Sequence, residues 1–180
     1  AAAGRRGACA SSAAGGHTAL ATYRRFDGRD WPACEREFRR AIARNPNYAF
    51  AHDQFGMALG FTGRFDESIA EGKRAAELDP LSPQVLIDAS MPYIFKKDST
   101  TAIALARRAA ELDPAYFFPP MIEGWVNLET GHFKEGVPFL RKAMTMDAPP
   151  FVTTNLAYAP GASGDRAGRL AQPDALRTRG

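Results

Sequence analysis

The sequence lacks the features that mark most disulfide-bonded, metal-binding and membrane proteins. Its 180 residues include only two cysteines, Cys9 and Cys34, which form neither a metal-ligand spacing nor a disulfide framework. No run of apolar residues reaches the roughly 18 that a membrane-spanning helix needs. These absences predict a cytoplasmic protein with no metal site and no membrane partner.

A concentrated basic region is also missing, although the formal net charge is +3. Residues 17–159 carry 17 Lys or Arg against 18 Asp or Glu, and the positive excess comes from the two ends of the chain. Nucleic-acid binding normally needs basic residues gathered on one surface. We therefore expect no nucleic-acid partner.

No catalytic constellation is present in the sequence. His17, His52 and His132 have no cysteine or carboxylate at metal-ligand spacing. The glycine-containing start of the chain lacks the lysine and the strand–loop–helix context of a phosphate-binding loop. We expect a chain that is not an enzyme and needs no cofactor, in which His52 has a packing role.

What the sequence does contain is an internal repeat with a period of 34 residues. Three segments end alike, at Pro46, Pro80 and Pro114, and a fourth similar ending follows at Pro149, displaced by one residue. An alanine recurs in the same register upstream of each ending, at Ala41, Ala75, Ala109 and Ala143. Repetition at 20–50 residues is the signature of stacked repeat architectures.

Each unit of this length supplies two short helices and two turns, and neither helix can bury its apolar side unless the units stack. Glycines within a unit, Gly63 and Gly131, mark turns where a positive backbone φ is expected. Asp-Pro ends a unit because the residue before proline disfavours helical geometry. The predicted helices cover residues 17–26, 30–44, 48–61, 65–78, 82–95, 98–112, 116–130, 133–146 and 150–159.

The pattern resembles the tetratricopeptide repeat (TPR) family. The residues that carry the match in the best unit are Phe55, Gly56, Leu59, Gly63, Phe65, Ile69, Ala75 and Leu78 to Pro80. The resemblance covers roughly residues 17–149 and implies an all-α fold. That fold is a right-handed superhelical solenoid of stacked antiparallel helix pairs, with about four repeats and a partial fifth.

The resemblance also sets the predicted organisation of the chain. Residues 1–16 are expected to form a flexible extension, residues 17–159 the repeat domain, and residues 160–180 an irregular tail. The predicted repeats cover about 15–48, 49–82, 83–116 and 117–150, followed by the partial unit at 151–159.

In this family the first helices of successive units line a concave groove, and the register assigns residues to it. The predicted groove is rich in aromatic residues and methionine, which suits an apolar peptide. The predicted groove residues are Phe50, Met57, Phe61, Met91, Phe95, Phe118, Met121, Trp125 and Leu128. Two alternatives to an open groove remain. In the first, side chains of the first helices pack between neighbouring helices, as expected for Ile87 and Ile94. In the second, the chain's own terminal segment fills the groove.

The resemblance excludes one kind of partner. TPR domains that hold the acidic C-terminus of heat-shock chaperones use Lys, Asn and Arg in these positions. Here the equivalent positions are Ala19, Tyr23, Asp53, Met57, Ile87, Met91, Met121 and Trp125. The first functional hypothesis is therefore a protein-interaction scaffold that binds an apolar extended or helical peptide of its partner. The second is a structural or oligomerisation domain that uses the same face for self-association.

A narrower resemblance suggests the context. The strings DWPACEREFRRAIARNPNYAFAH, GRFDESIAEGKRAAELDPLSP and YAPGASGDRA are similar to TPR regions of bacterial signalling and transcriptional regulator proteins. In those proteins the repeats follow winged-helix, cyclase-like or protein-kinase modules. The resemblance implies a bacterial source and a docking or sensing role within a larger regulatory protein.

Overall fold

A computed structural model describes residues 14–21 and 30–146 of the chain, and all regular structure within these ranges is helical. Of the described residues, those up to Leu112 form one compact unit and those from Asp113 to Met146 form another. Residues 1–13 of the predicted extension at 1–16, the predicted helix at 150–159 with its partial fifth repeat, and the predicted tail at 160–180 lie outside the described residues. So do Tyr23 and the rest of residues 22–29.

Eight helices follow one another in the described chain. The first, α1, includes residues 14–21 and so begins before the predicted start at residue 17. The seven helices after it begin and end within two residues of their predicted bounds. They are α2 (Trp31–Arg44), α3 (Ala49–Phe61), α4 (Phe65–Leu78), α5 (Pro83–Phe95), α6 (Ser99–Leu112), α7 (Phe118–Glu129) and α8 (Phe133–Met144).

Short polar residues fix where several of these helices start. The Asp30 carboxylate accepts a hydrogen bond of 3.0 Å from the backbone N–H of Ala33 and caps α2. Ser82 caps α5 in the same way through the N–H of Val85. At the start of α6, hydrogen bonds from Thr101, chiefly from its hydroxyl, lower the pKa of the Asp98 carboxyl.

The turns inside the three described helix pairs from α3 to α8 each have one residue with positive φ, in the same register. Gly63 has φ 79° and Gly131 has φ 82°, which confirms the conformation predicted for both. Lys97, at the equivalent position between α5 and α6, has φ 63°. The backbone path therefore repeats even where the glycine does not, so that Lys97 adopts a conformation that suits glycine better.

The first unit contains α1 to α6, in which sequence neighbours from α2 to α6 pack on one another and α3 also contacts α5 directly. The recurrent alanines Ala41, Ala75 and Ala109 are completely buried, because the helices approach too closely there for a larger side chain. Ser68 strengthens the α3–α4 pair by donating its buried hydroxyl to the Gly56 carbonyl at 2.7 Å. Small residues in register thus give the close helix packing that the repeat predicts.

The second unit, taken by itself, contains the α7–α8 pair. Gly124 on α7 lies against Leu140 and the backbone of Gly136 on α8. A Cβ atom added at Gly136 would lie 2.9 Å from the Gly124 carbonyl oxygen. Two glycines facing each other therefore allow these two helices to pack closely.

Candidate functional site

Five of the predicted groove residues lie in the first unit, on the neighbouring helices α3 and α5. Phe50, Met57 and Phe61 lie on α3, whereas Met91 and Phe95 lie on α5. The side chains of the three phenylalanines remain exposed, at 49%, 63% and 48% for Phe50, Phe61 and Phe95. Met57, between Phe50 and Phe61 on α3, is half-buried, and so is Met91, four residues before Phe95 on α5. Ile87 and Ile94 are buried, as expected for residues that pack between helices.

Two of these phenylalanines belong to a repeated aromatic contact that the sequence did not reveal. The Phe61 ring lies 6.5 Å from that of Trp31, and the Phe95 ring stacks on Phe65 at 5.4 Å. In each contact the last residue of a first helix meets the first residue of the second helix before it. The two contacts are one 34-residue repeat apart, so the same aromatic pair recurs in register.

A pocket of about 200 Å³ opens beside Trp31, between α2 and α3. Its apolar lining includes Trp31, Cys34, Phe55 and Leu59. The pocket is smaller than the roughly 300–1,000 Å³ typical of sites for small molecules and cofactors. Its size suits a single apolar side chain better than a cofactor.

The charged groups at the edge of this pocket neutralise one another. Arg64 donates to the carboxylates of Glu35 and Glu67, with N–O distances of 2.6 Å to each. These hydrogen bonds lower the pKa of both glutamates, so they stay ionised beside the guanidinium. Because Glu35 and Glu67 already offset the charge of Arg64, the guanidinium attracts an acidic ligand less strongly.

The remaining predicted residues lie in the second unit, on α7, and they differ in depth. Met121 and Leu128 are buried, with 4% and 7% of their surface exposed. Trp125 is half-buried and its indole N–H points to Glu129 at 3.4 Å. Phe118 is also half-buried and stacks on Phe117 at 4.3 Å. Of the four predicted residues on this helix, Phe118 and Trp125 are the two that keep accessible surface.

In residues 14–21 and 30–146 no group of three His, Cys, Asp or Glu side chains is placed to hold a metal ion. Cys34 is a buried free thiol. His52 is buried at 7% exposure, in agreement with the packing role expected for it, and its ring also contacts Glu71. None of the described helices is long and apolar enough to cross a membrane.

Comparison of the sequence with protein-family models and with curated proteins finds no match. Comparison with solved structures finds several similar chains. TTC0263, a thermophilic TPR protein of Thermus thermophilus, has a TM-score of 0.79 and 19% sequence identity, over 89% of this chain and 88% of that one. MamA has a TM-score of 0.66 and 17% identity, over 88% of this chain and 86% of that one. PilF of Pseudomonas aeruginosa has a TM-score of 0.75 and 16% identity, over 89% and 73%.

These similarities define the class of the fold. The chain has the all-α helical-repeat fold of TPR proteins, and the predicted resemblance is confirmed at that level. At identities below 20% the likeness concerns the arrangement of the helices and says nothing about a ligand.

Proposed function

We propose that the chain is a non-catalytic protein-interaction scaffold that binds an apolar peptide of a partner on the face formed by its first helices. The observation that carries this proposal is the exposure of Phe50, Phe61 and Phe95 on two adjacent helices. Large apolar side chains gathered on one surface mark interaction sites in proteins of this kind. Aromatic residues also account for much of the binding energy at interfaces.

The chemistry of the partner follows from what surrounds these phenylalanines. The half-buried Met57 and Met91 offer flexible, polarisable contacts that adapt to different apolar ligands. The pocket between α2 and α3 provides a place for one side chain next to Phe61. An extended or helical segment with large apolar side chains fits this surface better than an acidic tail, since Arg64 is already paired with two glutamates.

The residues of α7 belong to the second unit and are proposed as a contact surface of that unit by itself. Phe118 and Trp125 keep accessible surface and are its candidate contacts. Met121 and Leu128 are buried and support the helix from beneath. Truncating Met121 would therefore change stability as well as binding, and the exposed residues are the better sites for a test.

The biological setting is also part of the proposal. A bacterial, cytoplasmic protein in which these repeats belong to a larger regulatory chain agrees with the similarity to TPR regions of bacterial signalling proteins. Two of the similar structures come from bacteria, Thermus thermophilus and Pseudomonas aeruginosa. No cofactor is needed for this role.

The test is a binding measurement with a matched control. Peptides selected from a random display library against the whole chain should be rich in large apolar residues. Phe61→Ala should weaken their binding by about 1–3 kcal/mol, or roughly 5- to 150-fold in Kd. Leu81→Ala removes a similarly exposed apolar side chain, at 73% exposure, from the turn before α5 and should leave Kd unchanged. Equal Kd values for wild-type and Phe61→Ala chains would remove Phe61 from the site.

Self-association through the same face is the competing outcome. Sedimentation at several concentrations separates the two. A monomer at all concentrations that binds the selected peptides supports the scaffold. A dimer that Phe61→Ala dissociates, together with failure to select peptides, would replace the scaffold with an oligomerisation domain.

A further inference from the structure

Two histidine–glutamate contacts join paired helices at equivalent places in the first unit. His17 on α1 has its Nδ1 atom 2.6 Å from Oε2 of Glu37 on α2. His52 on α3 has its Nδ1 atom 2.6 Å from Oε2 of Glu71 on α4. The two glutamates are 34 residues apart and the two histidines 35. The same polar contact therefore holds the first and second helix pairs.

One partner of each contact is buried, whereas the other, His17 or Glu71, keeps 25% of its side chain exposed. Glu37 and His52 each have 7% of their surface exposed. Glu37 also accepts a hydrogen bond from Arg40 through its other oxygen, at 2.7 Å. A buried polar group that loses its partner costs about 1–3 kcal/mol, so these contacts matter for the stability of each pair.

The surroundings of His52 select one protonation state. Its Nε2 atom lies 3.0 Å from the backbone carbonyl of Pro46, while its Nδ1 faces the Glu71 carboxylate. Both partners only accept hydrogen bonds, and only the imidazolium form can donate to both at once. Arg74, on the same helix as Glu71, is the other charged group near the ring and opposes its protonation weakly.

The third helix pair provides a natural comparison. The positions equivalent to His52 and Glu71 are Leu86 on α5 and Leu105 on α6. Leu86 is completely buried and neither side chain titrates. The α5–α6 pair is thus built on the same pattern without the proton-dependent contact.

We propose that the first unit contains a pH-sensitive contact, in which the protonated His52 ring holds α3 against α4 by donating to Glu71 and to the Pro46 carbonyl. Loss of this proton loosens the α3–α4 pair, whereas the α5–α6 pair is unaffected. Stacked repeats contact only their neighbours, so individual pairs can open without global unfolding. Since Phe50, Met57 and Phe61 lie on α3, the shape of the exposed apolar face changes with pH as well.

The direction of the pH dependence follows from the contact with Glu71. The hydrogen bond to Glu71 raises the pKa of His52 above its ordinary value of 6.5. The stabilisation is complete below that ordinary value and is lost as the pH rises through the higher pKa of the folded state. At acid pH the stability changes with pH in the opposite direction. There the relevant group is Glu37, whose pKa is lowered, chiefly by its hydrogen bond with His17. Its contribution is lost only as the pH falls below about 4.5, the ordinary value for Glu.

Hydrogen exchange of the whole chain between pH 6 and pH 9 tests this contact without any ligand. After correction for the intrinsic pH dependence of exchange, protection of α3 and α4 relative to α5 and α6 should fall. The expected fall is about tenfold for each unit by which the pKa of His52 is raised. The double variant His52→Leu, Glu71→Leu installs the residues of the third pair and should make this ratio independent of pH. An unchanged ratio in the wild type, or the same pH dependence in the double variant, would overturn the proposal.

A second measurement does not depend on the variant folding. NMR titration of the His52 ring in the wild-type chain should give a pKa above 6.5. A value at or below 6.5 would show that folding does not favour the imidazolium and would refute the proposal. Neither experiment involves a partner, so this inference and the proposed function fail independently.

Discussion

Substitution of Gly124 by alanine tests the close packing of α7 on α8 most sharply. A Cβ atom added at Gly124 would lie 2.6 Å from Cδ2 and 2.7 Å from Cγ of Leu140, and 3.2 Å from the carbonyl oxygen of Gly136. Leu140 is completely buried, so its side chain has no free space into which to rotate. The added methyl group must therefore push the two helices apart or force Leu140 into a strained rotamer.

The expected cost is the difference between two effects. Overpacking of a well-filled core costs about 1–3 kcal/mol, and contacts this short point to the upper end of that range. Replacing glycine with alanine inside a helix returns about 1 kcal/mol. Gly124→Ala should therefore lower the free energy of unfolding by about 2 kcal/mol. For a chain of this size the midpoint of thermal unfolding should fall by about 4–8 °C.

Gly60→Ala on α3 is the matched control. Its added Cβ atom would meet only the Ser68 side chain, at 3.3 Å from Oγ and 4.0 Å from Cβ. The gain in helix propensity should dominate there, leaving stability unchanged or raised by up to about 1 kcal/mol. Both variants can be measured by urea unfolding followed by far-ultraviolet circular dichroism. A Gly124→Ala chain as stable as Gly60→Ala would refute the packing argument.

Two further substitutions test local backbone structure. Lys97→Gly should raise the free energy of unfolding by about 0.5–1 kcal/mol because Lys97 holds a positive φ of 63°. Gly63→Ala in the equivalent turn should lower it, and the opposite signs in urea unfolding would contradict the turn geometry. Asp30→Ala should lower the free energy of unfolding by about 1 kcal/mol, because it removes the carboxylate that caps α2 at the Ala33 N–H. Asp30→Asn should lower it much less, and equal losses for the two variants would show that Asp30 does not act as a cap.

The 34-residue register predicted much of the fold for a physical reason. Recurrent small residues and Asp-Pro endings act locally, so they fix where a helix begins, ends and packs. The positive φ of Gly63 and Gly131 was predictable because glycine signals it, whereas Lys97 has no such signal except its place in the register. The boundaries of α4 agree to the residue, since Phe65 and Leu78 lie at repeated positions.

The candidate site was less predictable because it depends on contacts between helices and on depth. The register placed Phe61 on the predicted face but not against Trp31, which lies 30 residues earlier on another helix. The register also placed both Met121 and Trp125 in the predicted groove, although Met121 is buried and Trp125 is only half-buried. The contact of His52 with Glu71 was missed for the same reason, although its recurrence at His17 and Glu37 is a signal that the sequence contains.

The most direct test of the account is to locate a selected apolar peptide on the folded chain. Hydrogen exchange with and without the peptide should show new protection on α3 and α5, around Phe50, Phe61 and Phe95. The second helices α4 and α6 should be unaffected. Protection confined to α4 and α6, or none on α3 and α5, would contradict the claim that the first helices bind the partner.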